Sequence, residues 1–406
     1  MNFLKLHIGA FIYVFIICLL SVGVFAYTGT SHLDKLIVVF SSFVIFYWPL
    51  NTFIQNRFNK SLRTLNLKFL NEEKSLLLLF GVCILLFLID IAYNNGLPGF
   101  SIFSTSTVEE VTSLRSNIHI NSPSWVVYLS GFSIKCFFPF AILLFCVRKH
   151  FLYFTILLII GSFYSFGMLQ KSFIVVMLLP TFLYLIISKK YLLSFLLVFI
   201  MGSTISTIII GSSDKIETTH AKKNLDDQDL ILNSKDDRPF ALRILIGMSH
   251  RIFIVPGEMV GEWFNIIPSQ KPFLWGDGYP VLPRLMGHEY VDYDAELYPI
   301  IRPEYAKKGY TGTVNTATFM REYSNFGYFG LILSSLFVSI YIVILNISFR
   351  NNLTLFISIN LMYLLLLSSS NLWTLMFSGG WLLTVILFII FKNYFSNYDQ
   401  IARHEK

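Results

Sequence analysis

A helix that carries arginine and histidine on one narrow line of an otherwise apolar surface is suited to meet phosphate at a lipid boundary. The stretch from Phe240 to Pro256 has that pattern, and its proline predicts a helix stop. At about 100° per residue, His250 lies about 20° and Arg251 about 80° from Arg243. Leu242, Leu245, Ile246, Met248, Ile252 and Phe253 form the opposite face, so the helix is expected in the outer membrane interface. Two readings follow. Either the arginines snorkel to lipid headgroups as anchors, or they clamp a diphosphate, to which the planar guanidinium fork is matched in a partly dry setting.

Further chemistry-bearing residues follow. Glu258 and Glu262 are one helical turn apart and share a face. Glu258 is either a base for a sugar hydroxyl, if burial raises its pKa, or an ion-pair partner of Arg251. Phe273-Leu-Trp275-Gly-Asp277-Gly-Tyr279-Pro mixes aromatic rings, glycines and a carboxylate. Trp275 and Tyr279 there either stack on sugar faces or pack the loop. Asp227-Gln-Asp229 and Asp292-Tyr-Asp294 have the form of a metal-binding DxD, against the reading of solvated charge. The stretch Thr313 to Gly330 gathers Asn315, Arg321, Glu322 and Tyr323 just before an apolar run, with Arg321 an interfacial anchor or an anion ligand. Its glycines allow close helix packing or a kink. Lys135 and Asp90 lie inside apolar runs, where charge is costly. They either pair with each other, or Lys135 lines a cavity and meets a lipid phosphate.

The elements that must position these groups are membrane spans. Of the residues 55% are hydrophobic and only 14% charged, with a mean hydropathy of +0.64, which excludes a soluble enzyme. Runs of about 20 apolar residues are needed to cross the hydrocarbon. Ten are predicted: Leu6–Tyr27, Leu36–Ile54, Ser75–Ala92, Ser124–Val147, Phe151–Met168, Ser172–Ser188, Tyr191–Gly211, Asn325–Ile347, Leu353–Ser369 and Leu372–Phe391. The first is too long, and too soon followed by another, for a cleaved signal peptide. Lys and Arg in the short loops place both termini in the cytoplasm and the large loop outside. The expected organisation is a seven-span bundle over 1–211 with a short outer loop at 94–123, a large outer loop at 212–324, and three spans with a tail over 325–406. The loop opens on a solvated connector, Ser212–Asp237.

Net charge separates the same way. The window Ser212–Glu322 holds 13 basic and 16 acidic residues, leaving 18 basic and 8 acidic elsewhere, so the overall +7 is −3 plus +10. The surplus is a topology signal and a contact for anionic lipids, and nothing else supports nucleic acid as a partner. Cys18, Cys83, Cys136 and Cys146 all fall inside spans, with neither a disulfide framework nor zinc spacing. A P-loop, a Gly-x-Ser-x-Gly elbow, a His-Glu-x-x-His helix and a CxxC pair are missing. No metal or other cofactor is expected. Guanidinium groups suffice to absorb charge developing on a diphosphate leaving group.

In layout the chain resembles the O-antigen polymerase (Wzy-type) family. The Asn-Gly-Leu-Pro turn after the third span, one dominant outer loop, and the Asn315-Thr316 and Phe326-Gly327-Tyr-Phe-Gly330 close of that loop carry the likeness. The Arg-x10-Gly pattern of some members is not reproduced: nine residues separate Arg251 from Gly261. The resemblance implies an all-α polytopic membrane protein, a GT-C-like membrane glycosyltransferase of the bacterial inner membrane, with its large loop in the periplasm. It implies block transfer of a glycan from undecaprenyl diphosphate to a lipid-linked repeat unit, for O-antigen or a related surface polysaccharide. Membrane lipids and a chain-length regulator protein are the implied partners. On this reading Arg243, Arg251 and Arg321 clamp the donor diphosphate, His250 or Glu258 takes the acceptor proton, and Arg115 or Arg302 holds the second substrate. The rivals are an O-antigen ligase, similar in layout, and a polysaccharide flippase, which would rarely carry one outer loop of such size.

Overall fold

The computed structural model describes residues 7–58, 72–93, 99, 118, 122–169, 171–220, 250–251, 254–307, 312–350 and 352–404. Among these every regular element is helical and there is no strand. The helices are α1 (Ile8–Thr28), α2 (Leu33–Phe58), α3 (Glu72–Tyr93), α4 (Ser124–Val147), α5 (Phe151–Gly167), α6 (Lys171–Ile187) and α7 (Tyr191–His220). After them come α8 (Val255–Ile266), four short helices α9 (Leu282–Met286), α10 (Tyr293–Glu296), α11 (Tyr298–Ile301) and α12 (Pro303–Lys307), then α13 (Met320–Ser348), α14 (Leu353–Leu366), α15 (Leu372–Met376) and α16 (Trp381–His404).

The protein is an all-helical membrane protein. Six of its described helices (α1 to α4, α7 and α13) contain segments long and apolar enough to cross a bilayer, and α5, α6, α14 and α16 contain shorter apolar ones. At about 1.5 Å per residue, the 21 residues of α1 reach about 30 Å, the thickness of the hydrocarbon layer. The outward faces bear this out: Leu192, Phe195 and Phe199 of α7, and Ile37 and Ile45 of α2, are exposed. Large apolar groups in such rows are poorly matched to water and well matched to lipid.

Compactness divides the chain into two units. The first comprises Met1–Leu65, Asn233–Arg350 and Tyr363–Leu375; the second comprises Asn66–Leu232, Asn351–Met362 and Met376–Lys406. Each draws on segments distant in sequence.

In the first unit α13 lies along α2. Ser335 and Ser339 of α13 donate to the carbonyls of Val39 and Phe43 at 3.1 and 3.4 Å, and Asn346 Nδ2 donates to Tyr47 Oη at 2.9 Å. Small and polar side chains take this role where lipid removes the usual hydrophobic drive between helices. The amphipathic α8 packs on α1 through paired glycines: a Cβ at Gly23 would fall 2.5 Å from the Ile254 oxygen, and one at Gly257 would fall 2.6 Å from the Gly23 Cα. Gly23→Val is therefore expected to pry α8 from α1 at a cost of about 1–3 kcal/mol. A lowered melting temperature in detergent is the check, with Gly81→Ala, which meets no atom within 4 Å, as control.

In the second unit the Asp90 carboxylate accepts from Ser130 Oγ at 3.0 Å and from Tyr164 Oη at 2.7 Å. Lys135 sits in a π-helical turn, Ser133–Phe137, within α4. Trp381 Nε1 donates to Asn360 Oδ1 at 2.8 Å.

Four sequence expectations are corrected. Pro256 starts α8 instead of stopping a helix, because a proline in the first turn lacks only an N–H that would have no partner there anyway. Helix α7 runs past Gly211 to His220, into the segment expected as a connector. The eighth span begins earlier, at Met320, and breaks at Gly327, whose φ of 60° is left-handed. The tenth is two helices, α15 and α16, with Gly380 at φ 78° between them.

Candidate functional site

The head of α13 organises the site. Asn325 is fully buried, and its Oδ1 accepts from the N–H groups of Gly276 and Gly278 at 3.0 and 3.1 Å. Its Nδ2 donates to the Arg321 carbonyl at 2.8 Å. The Leu274 and Trp275 N–H groups donate to the carbonyls of Ser324 and Asn325 at 2.9 and 3.0 Å, so the 274–279 turn is stapled to the helix. The break at Gly327 accommodates the Phe273 ring, which a Cβ there would meet at 3.0 Å. At Gly330 a Cβ would fall 1.9 Å from the Glu322 oxygen, so the two glycines supply both a kink and a close approach. Asn325→Ala is expected to leave two backbone donors of the turn unpaired, costing about 1–3 kcal/mol; a melting temperature unchanged from wild type would show that the staple contributes nothing.

The stapled turn holds Arg321 in place. Its Nε and Nη2 donate to the Gly278 carbonyl at 3.1 and 3.0 Å, Nη2 also reaches Tyr290 Oη at 3.4 Å, and the guanidinium stands 5.8 Å from the centre of the Tyr279 ring. No carboxylate lies within ion-pair distance of it among the described residues. Its charge is thus positioned by neutral groups.

Arg321 borders a cavity of about 90 Å³ within the first unit. Trp263 of α8, Tyr290, Asp292, Asp294, Asn315, Thr316 and the segment Ser369-Ser370-Asn371 share the lining. Asp292 caps α10, its Oδ1 accepting from the Asp294 N–H at 3.1 Å. The Asp294 carboxylate, half-buried, makes no hydrogen bond among the described residues. Burial, and secondarily the Asp292 charge, push its pKa from 3.8 up to about 6, while Arg321 opposes the shift. Burial likewise raises the Tyr290 phenol, which stays neutral.

No protein-family model, curated protein or solved structure matches this chain.

The sequence-derived candidates divide by location. Arg321 and Asn315 line the cavity and Tyr279 lies beneath the Arg321 guanidinium. Trp275 is held at φ 50° with its indole 71% exposed, beside the cavity wall formed by Leu274 and Gly278. Tyr323 is only 1% exposed, its hydroxyl donating to the Ile267 carbonyl at 3.2 Å, so it packs the site instead of touching a substrate. His250 and Arg251 are exposed, and the partner of Glu258 is His250, at 3.6 Å, instead of Arg251. Glu262 is engaged by the Tyr27 hydroxyl. Arg302 is exposed at the end of α11 and Lys135 belongs to the second unit. Arg115, Arg243 and Asp227-Gln-Asp229 lie outside the described residues. No group of three or more His, Cys, Asp or Glu is placed to hold a metal among the described residues, and Asp292 serves as a cap.

Trp263, Tyr290 and Ser369–Asn371 are lining residues without a candidate role in the sequence reading, which met Thr316 only as part of Asn315-Thr316. The run Ser368-Ser-Ser-Asn371 between two apolar stretches was the one available signal.

Proposed function

We propose that the protein is a membrane glycosyltransferase that joins lipid-diphosphate-linked glycan units, a GT-C-like polymerase of O-antigen or a related surface polysaccharide. The observation that carries the reading is a carboxyl of pKa about 6 and an arginine with no carboxylate at ion-pair distance among the described residues, in one cavity at the head of a membrane-spanning helix. A base poised near neutrality and a cation for a leaving group are the two things that nucleotide-independent glycosyl transfer requires.

In the proposed step the acceptor sugar hydroxyl gives its proton to the Asp294 carboxylate as its oxygen bonds to the donor's anomeric carbon. The bond from that carbon to the diphosphate oxygen breaks, and the electron pair leaves with undecaprenyl diphosphate. Arg321 offsets the charge that develops on that oxygen. The exposed Trp275 face is suited to stack on a neighbouring sugar. In this scheme the large loop is periplasmic and both termini are cytoplasmic. The exposed Arg251 stays available to lipid headgroups.

The surface polysaccharide profile of a strain lacking the protein tests the reading. A single repeat unit on the lipid core is expected; free, unattached polymer would indicate a ligase instead, and absence of any exported repeat a flippase.

A further inference from the structure

We propose that the cavity seats the edge of one uncharged sugar ring of the acceptor glycan, read by the Trp263 indole N–H and the Thr316 hydroxyl. The proposal rests on the glycosyltransferase reading and specifies what its acceptor side accepts. Trp263 is 2% and Thr316 6% exposed, and both line the cavity. Trp263 Nε1 and Thr316 Oγ1 are buried with no hydrogen-bond partner among the described residues. Buried polar groups are rarely left so, because each unpaired one is costly. An indole N–H only donates, so its partner must be an acceptor such as a hydroxyl or acetamido oxygen.

Charge selects among ligands with such oxygens. Two carboxylates, Asp292 and Asp294, line the cavity against one guanidinium, and two of that guanidinium's nitrogens are already engaged by Gly278 and Tyr290. A uronic acid ring seated there would bring its carboxylate toward Asp292 and Asp294 in a half-dry space, which is unfavourable. Neutral hydroxyls serve both sides, accepting from Trp263 and Thr316 and donating to Asp294. A volume of about 90 Å³ gives room for the edge of one ring and not for a chain.

The test is an NMR titration of the full-length protein in detergent micelles, with its tryptophans labelled by ¹⁵N. The Trp263 indole signal is assigned by its loss in Trp263→Phe or, should that variant not fold, by elimination with the other tryptophans. The probes, at matched concentrations, are the methyl glycosides of glucose, galactose and N-acetylglucosamine, and methyl glucuronide. The expected result is a saturable shift with at least one neutral glycoside, weakened about tenfold in Thr316→Val, and none with glucuronide. A shift with glucuronide equal to or larger than that with the neutral glycosides overturns the proposal, as does no shift with any neutral glycoside, which would mark a water-filled cavity. Binding needs no turnover, so the two readings fail separately: a silent Trp263 beside a lost glycan ladder sinks the subsite alone, and an unchanged ladder sinks the polymerase alone.

Discussion

Arg321→Ala is expected to leave the protein in the membrane and, on the proposed function, to remove long glycan chains from the cell surface. The arginine caps no helix and forms no ion pair among the described residues, so the fold depends little on its charge. What holds it is a neutral cradle, the Gly278 carbonyl and the Tyr290 hydroxyl, above the Tyr279 ring. A guanidinium held by neutral groups, with no carboxylate at ion-pair distance among the described residues, is free to interact with a phosphate that arrives. Losing one charge-assisted contact in a partly desolvated site costs about 2–4 kcal/mol of transition-state stabilisation, roughly 30-fold to a thousandfold in rate. Arg321→Lys keeps the charge but not the fork that grips Gly278, and intermediate chain lengths are expected. Gel profiles, with an immunoblot of the membrane fraction, provide the check. Normal ladders from the alanine variant would remove Arg321 from the mechanism.

Asp294→Asn is expected to have an effect at least as large, because it removes the proposed base, a contribution of about 10² to 10⁴ in rate. The wild-type rate should rise as pH rises through about 6, the pKa at which the carboxyl loses its proton, and level off above it. The variant should keep no such step. Stability should move the other way. The folded pKa, about 6, exceeds the ordinary 3.8, so between those values the folded state holds more protons than the unfolded, and stability falls as pH rises through that window. Above pH 6 the ionised Asp294 is therefore a burden on the fold. Replacing it by asparagine should recover about 1–2 kcal/mol once its partial exposure is discounted, read as a higher melting temperature at neutral pH. A purely structural aspartate would lose both stability and activity on substitution.

Much of the architecture was legible because membrane spans announce themselves by length. Each of the ten predicted apolar runs overlaps a helix, and the breaks that were missed lie where one residue redirects the backbone, as Gly327 and Gly380 do at positive φ. Pro256 misled because proline's effect depends on position: it ends a helix from within and favours one from its first turn. In the site, Arg321, Asn315 and Tyr279 were legible as polar and aromatic groups crowded before a span. Asp294 was visible only as half of a DxD, a spacing that points to metal, whereas its pKa comes from burial that no spacing reveals. Trp263, Thr316 and Ser369–Asn371 come from three separate segments and meet only in the folded chain.

The most direct test of the account is elongation by the purified protein in liposomes, supplied with an undecaprenyl-diphosphate-linked repeat unit and no nucleotide, with products read by mass spectrometry. The account predicts chains growing in steps of one repeat unit, one undecaprenyl diphosphate released per step, and a rate that falls as pH drops below 6. No growth from wild-type protein, or growth undiminished in both Arg321→Ala and Asp294→Asn, would contradict it.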